Sequence, residues 1–159
     1  MPCRVLALDP GERVGWARAD VHPDGSWTDL RHGITPLRDM ALAAHASIVD
    51  GRYDVVVMED WKLFPAMAAQ FIGSGFPSVQ FIGAVRLCCW VSGTKLVTYG
   101  AATKKPTLQI IKSTDPELYA KVTQPIKHDD GHDLDALIHL FRWTWQNTDL
   151  RPSKEAKAA

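Results

Sequence analysis

Two apolar runs in this 159-residue chain each stop at a carboxylate. Arg4-Val-Leu-Ala-Leu-Asp9 is followed by the turn pair Pro10-Gly11, and Asp54-Val-Val-Val-Met-Glu59 is followed by a second acid, Asp60. Short aliphatic, β-branched runs of this kind suit strands covered on both faces. Alternation then puts Asp9 on the face of Val5 and Ala7, and Glu59 on the face of Val55 and Val57. If the two strands are parallel neighbours, both carboxylates reach one crevice beyond the carboxyl ends of the strands, where open α/β sheets take their ligands. Two acids leaving an apolar face side by side are costly to ionise without a cation.

The rest of the pattern builds around these two strands. Gly15–Ala19 and Trp27–Gly33 read as strands joined through the Pro23-Asp24-Gly25 turn, and with the first strand they suit an antiparallel meander. Pro36 to Val49 reads as a helix with Leu37, Met40, Ala41, Ala44 and Ile48 on one face. Trp61–Pro77 is a loop or broken helix. Ser78–Val91 reads as a helix with Val79, Ile82, Val85 and Cys89 inward. Lys95–Tyr99 is a strand, and short helices are expected at about Thr107–Ile111 and near Pro116–Val122. Asp133–Thr148 is a final helix, with Leu134, Leu137, Ile138, Phe141 and Trp145 on one face. The order βββαβαβα predicts an α/β fold, a mixed five-stranded sheet flanked by helices. Residues 1–148 form one domain in this reading, and 149–159 a disordered tail.

Composition narrows the function classes. Apolar residues make up 46% and charged residues 23%, which excludes a disordered or collagen-like chain. The long uncharged stretch Leu63–Val85 carries Gly, Pro, Gln and Ser, so no membrane span is expected. Three Cys, two of them adjacent at Cys88 and Cys89, make a poor disulfide framework and suit a reducing cytosol. The net charge of zero hides an uneven distribution. Residues 1–60 hold 6 Lys/Arg against 10 Asp/Glu, residues 61–127 hold 8 against 2, and residues 128–159 hold 4 against 6. Carboxylates gathered apart from cations suit a metal-dependent enzyme acting on nucleic acid. Simple decoration of a solvated surface is the plainer account.

Two more candidate ligands lie at the start of the last helix. His132 and Asp135 are three residues apart and so share a helix face, while Asp133 points about 100° away from His132. Carboxylates plus a His converging on one point suit a divalent metal, and two ions would activate a water and stabilise the leaving oxygen of a phosphodiester. Each member also has a plainer reading. Asp9 before Pro-Gly can be a turn former. Glu59-Asp60 can be a solvated strand end. Asp129, Asp130 and Asp133 can cap a helix and suit its dipole.

Taken together, these residues resemble RuvC-type Holliday junction resolvases. Leu8-Asp9-Pro10-Gly11 followed by Gly15-Trp16-Ala17 resembles the family's first motif, Val57-Met58-Glu59 its second, and His132-x-x-Asp135-Ala136-Leu137 its C-terminal motif. Order and spacing match from about residue 3 to 147. The resemblance implies an RNase H-like fold and two Mg²⁺ or Mn²⁺ ions per site, held by Asp9, Glu59, His132 and Asp135. It also implies symmetrical nicking of four-way DNA junctions by a homodimer. The first member of the last pair is His132, where many relatives carry Asp. An imidazole there predicts that Mn²⁺ serves at least as well as Mg²⁺.

A nuclease also needs cations beside its carboxylates. Lys104 and Lys105 are the expected phosphate contacts, with Lys112 and Lys121 behind them. Trp61 and Phe64 follow Glu59 closely and could stack on bases opened at a junction centre, although an aromatic-rich stretch is more often core or dimer interface. The reading is a structure-selective endodeoxyribonuclease giving 5′-phosphate and 3′-hydroxyl ends, working in the cytoplasm of a bacterium or phage-infected host. The rivals are a YqgF-type ribosomal RNA processing nuclease and a non-catalytic protein that binds branched DNA.

Overall fold

The computed structural model describes residues 1–60, 76–124 and 131–150. Three strands come first: β1 (Cys3–Asp9), β2 (Arg13–Val21) and β3 (Trp27–Pro36). They form the expected antiparallel meander, with Val5 opposite Ala19 and Gly15 opposite Ile34. The β2–β3 turn closes through His22 and Ser26, with Asp24 accepting from both the amide and the hydroxyl of Ser26. Helix α1 (Leu37–Val49) crosses back, and Gly51 with φ 67° ends it in the left-handed region. Strand β4 (Val55–Asp60) then enters the sheet parallel to β1. Helix α2 (Pro77–Ser92) and strand β5 (Lys95–Gly100), parallel to β4, complete a mixed sheet of order β3-β2-β1-β4-β5. A short 3₁₀ turn leads into α3 (Lys104–Thr114), followed by α4 (Pro116–Val122) and α5 (His132–Asn147).

The two sheet faces carry different layers. Leu6, Leu8, Val56 and Met58 pack beneath α1 and α2 through Met40, Ile48, Phe81, Ile82 and Val85. Val5, Ala7, Val55 and Val57 face the other way, onto Ala136, Leu137, Leu140 and Trp143 of α5. The period-2 alternation that makes each strand two-sided therefore sends Asp9 and Glu59 towards α5. The buried aliphatics are each worth about 1.5–3 kcal/mol of transfer free energy. Truncating a fully buried one such as Leu8 or Leu137 would cost about 2–5 kcal/mol.

Three details depart from the sequence reading. Val79 is 41% exposed, and Phe81 and Cys88 join Ile82, Val85 and Cys89 inside. At about 100° per residue, Val79 lies about 120° from the centre of that buried arc. The helix expected over 107–111 runs from Lys104 to Thr114. Pro106 sits in its first turn, where an amide hydrogen would have no intrahelical partner anyway. Finally, α5 is not one-faced. While Leu137 and Leu140 meet the sheet, Ile138 and Phe141 meet Ile111 of α3 and Leu118 of α4. Asp149 and Leu150 lie against the β2–β3 turn, where the Asp149 amide donates to the Pro23 carbonyl and Leu150 reaches Gly25. The rest of the expected tail, 151–159, lies outside the described residues.

No described helix is long and apolar enough to cross a membrane.

Candidate metal centre

The paired register of β1 and β4 runs through Leu8 and Met58, the residues immediately before Asp9 and Glu59. The two carboxylates therefore emerge side by side at the carboxyl ends of adjacent parallel strands, as their spacing in the sequence suggested. Helix α5 starts above them. Glycines let it approach so closely: a Cβ on Gly15 of β2 would fall on the main chain of His132, and one on Gly11 would meet its ring. Gly131, with φ 68°, sets the helix start, and Asp133 and Asp135 lie in its first turn, where the helix dipole favours negative charge. Asp133 does not face the carboxylates. Its Oδ2 accepts from His32 Nδ1 of β3 at 2.8 Å, a link that ties the start of α5 to the sheet.

Asp9, Pro10, Glu59, His132 and Asp135 line one cleft of about 190 Å³. His132 Nδ1 is in hydrogen-bond contact with Asp9 Oδ2, and the ammonium of Lys104 is paired with Asp135 Oδ1. Below the cleft, His139 Nε2 lies 3.4 Å from Glu59 Oε2. The structure thus brings together all four residues expected as ligands, and one of the expected cations. Lys105 is exposed beside Lys104. Lys112 is further off, its ammonium 5.7 Å from the centre of the Tyr119 ring, and Lys121 is exposed on the last turn of α4. Trp61 and Phe64 lie outside the described residues.

Burial shapes the electrostatics. Asp9 is 5% exposed. Removal from water, reinforced by Glu59, pushes its carboxyl up to about 7, against the opposing pull of His132. Glu59 moves the other way: its contact with His139, helped by Asp9 and more weakly by Lys104, holds it below its ordinary range. At neutral pH a carboxylate pair of this kind, one member buried and the other half-buried, is stabilised by a divalent cation. Its donors, carboxylate oxygens with imidazole nitrogens, fit Mg²⁺ and, more readily, Mn²⁺. Among the described residues, Asp9, Glu59 and His139 form a group whose ligand atoms all lie within 4.8 Å of one another.

His139 is the residue that sequence reasoning missed. It lies seven residues after His132, two turns along the same helix face, and that periodicity is the signal that could have found it. His32 of β3 is the anchor for Asp133. Burial acts on Cys89 in the same direction as on Asp9 and pushes its thiol up to about 11, which disfavours the nucleophilic thiolate.

No protein-family model and no curated protein matches the sequence. The fold does match solved structures. Thermus thermophilus RuvC in complex with a Holliday junction substrate superposes with a TM-score of 0.59 and 16% identity, covering 90% of this chain and 94% of that one. The yeast mitochondrial Holliday junction resolvase Ydc2 gives 0.59 and 12%, covering 91% and 79%. The fowlpox virus Holliday junction resolvase gives 0.57 and 11%, covering 90% and 99%. This chain therefore has the RNase H-like α/β fold of Holliday junction resolvases.

Proposed function

We propose that the protein is a metal-dependent endonuclease that resolves four-way DNA junctions. The observation that carries this is the convergence of Asp9, Glu59, His132 and Asp135 in one cleft, at the rim of a fold shared with Holliday junction resolvases. Asp9 and Glu59 would hold a divalent ion at the base of the cleft, with His132 and Asp135 serving a second from the helix above. Bound there, the ions would supply water activation and neutralise charge on the leaving 3′ oxygen. The chain's own residues do the positioning. Asp9 is shielded from bulk water, so once a bound cation has displaced its proton its charge would be little screened. Lys104, beside Asp135, places a cation where a scissile phosphate would lie, and Lys105 adds one outside the cleft. Contacts to the DNA phosphate backbone carry no sequence information, so these cations fit recognition by junction shape.

Paired cuts across a two-fold junction call for two active sites related by a similar axis, hence a homodimer. The surface that suits this role is α2, where Val79, Leu87, Trp90 and Val91 are exposed along one side of the helix, with Trp90 82% accessible. Gly83, in the middle, has open space around it. Ser74-Gly75, small residues just ahead of this helix in the sequence, lie outside the described residues. Cytoplasmic action fits the unpaired cysteines.

The test is incubation of four-way DNA, linear duplex and structured RNA with Mg²⁺ or Mn²⁺, followed by mapping of cuts. Symmetrical nicks in the junction, with 5′-phosphates, are expected. Asp9→Asn and Glu59→Gln should bind the junction without cutting. Preferential cutting of RNA would move the protein to the ribosomal RNA processing reading. Junction binding without cleavage under any divalent metal would leave a binding protein.

A further inference from the structure

We infer that His139 is a nitrogen ligand of the ion held by Asp9 and Glu59, and that it biases this site towards Mn²⁺ over Mg²⁺. The inference deepens the nuclease reading and rests on it for the use of the ion.

Residues 136–141 read Ala, Leu, Ile, His, Leu, Phe, and the imidazole is the single polar side chain in that buried run. A histidine that only filled space there would be a poor choice beside leucine, since a buried polar ring must find a partner. His139 is 3% exposed, and its Nε2 faces the carboxylate of Glu59 rather than solvent. The 3.4 Å separation exceeds that of a charge-assisted hydrogen bond, about 2.7–2.9 Å. It is close to the spacing of about 3.0 Å between adjacent ligands of an octahedral ion with 2.1 Å bonds. The ligand atoms of Asp9, Glu59 and His139 fall within one 4.8 Å span.

The ring is also held. Tyr99 lies nearly parallel to it, 16° between planes and 6.3 Å between centres, and the Tyr99 hydroxyl is anchored on Gln146 at 2.6 Å. A pre-set imidazole loses little freedom on binding metal. His132 does not complete this group of converging ligand atoms: it starts α5, about 10 Å along the axis from His139, and addresses Asp9 from above. Mg²⁺ prefers oxygen donors, whereas imidazole raises affinity for later divalent metals, so the third ligand favours Mn²⁺.

The test uses the full-length metal-free protein without DNA. Mn²⁺ is titrated and followed by its free-ion paramagnetic resonance signal, Mg²⁺ is measured by competition, and nitrogen coupling to bound Mn²⁺ is read by pulsed resonance after [¹⁵N]histidine labelling. In the His132→Asn variant one histidine coupling should remain, and that alone supports the assignment without touching the buried ring. His139→Gln should remove it, weaken Mn²⁺ by at least about tenfold, and change Mg²⁺ by much less. Absence of histidine coupling in His132→Asn would overturn the inference. So would undiminished Mn²⁺ affinity in a folded His139→Gln, or failure of the wild type to bind Mn²⁺. Cleavage assays separate the two readings. Histidine-coupled Mn²⁺ in a protein that cuts no DNA would leave this inference standing and remove the nuclease. A nuclease with no such coupling would do the reverse.

Discussion

A Cβ atom on Gly15 would lie 1.9 Å from the main-chain oxygen of His132. Helix α5 can start where it does because position 15 of β2 has no side chain. The glycine after the first strand turn is therefore a packing requirement imposed from residue 132, more than a hundred positions away.

That contact gives the first prediction. Gly15→Ala must push the start of α5 off the sheet, carrying His132 and Asp135 with it. Overpacking of this kind costs about 1–3 kcal/mol. Urea melts should show that loss, and junction cleavage should drop further than stability alone explains, because the ligands separate. A variant that cuts normally would mean the helix relaxes without moving the cleft.

The second prediction follows from Asp9. Its carboxyl is raised from an ordinary 3.8 to about 7, first by burial and then by Glu59. Between those values the folded protein keeps a proton that the unfolded chain has lost, so metal-free stability falls as pH rises through the window and levels off above about 7. Glu59 is shifted the opposite way, so its stabilisation is present above its ordinary 4.5 and is lost only on stronger acidification. Asp9→Asn removes the first effect. Its melting temperature should rise relative to the wild type between about pH 5 and pH 8, in the absence of metal. Mn²⁺ should reverse the order at high pH, since only the wild type binds it well. Below about pH 7 the apparent Mn²⁺ affinity should fall about tenfold per unit as proton and metal compete. Thermal melts across that range, with and without Mn²⁺, read all of this. A difference that stays flat with pH would show that Asp9 ionises freely.

The neighbouring lysines should separate into two behaviours. Lys105 is exposed, so Lys105→Ala should weaken junction binding across all sequences and lower the log–log salt slope by about 0.9. Lys104 is paired with Asp135 and so starts partly neutralised. Lys104→Ala should change the slope less but reduce the cleavage rate of the bound junction by tenfold or more, an estimate of about 1.4 kcal/mol of lost transition-state stabilisation. Binding measured at several salt concentrations, with single-turnover cleavage, distinguishes the pair. Identical effects would assign both to plain phosphate binding.

The fourth prediction concerns assembly. Trp90→Glu places a charge on the exposed side of α2 without touching the core. Light scattering should show a dimer for the wild type and a monomer for the variant, with unchanged circular dichroism. The monomer should nick junctions singly rather than in symmetrical pairs. A wild type that is monomeric on junction DNA would end the proposal of coordinated cutting.

How much of this was legible in the chain depends on the range of the interaction. The strands, the turn at Pro23-Asp24-Gly25 and the last helix are set by local preference and by apolar period, and both are written in consecutive residues. Even the pairing of Asp9 with Glu59 could be foreseen, because alternation counts faces reliably once two strands are taken as parallel neighbours. Val79 shows the limit of that method, since a helix period alone does not say where the centre of the buried arc lies. Which side chains meet across elements was decided only by tertiary structure. His32 and Asp133 are 101 positions apart and nothing local links them. Lys104 reaches Asp135 because α3 and α5 pack through Ile111, Ile138 and Phe141. In the sequence His139 stands among apolar neighbours, Ile138 and Leu140, with no partner nearby in the chain. The seven-residue step from His132 puts it on the right helix face, but it acquires a role only because β4 ends beneath it with a carboxylate.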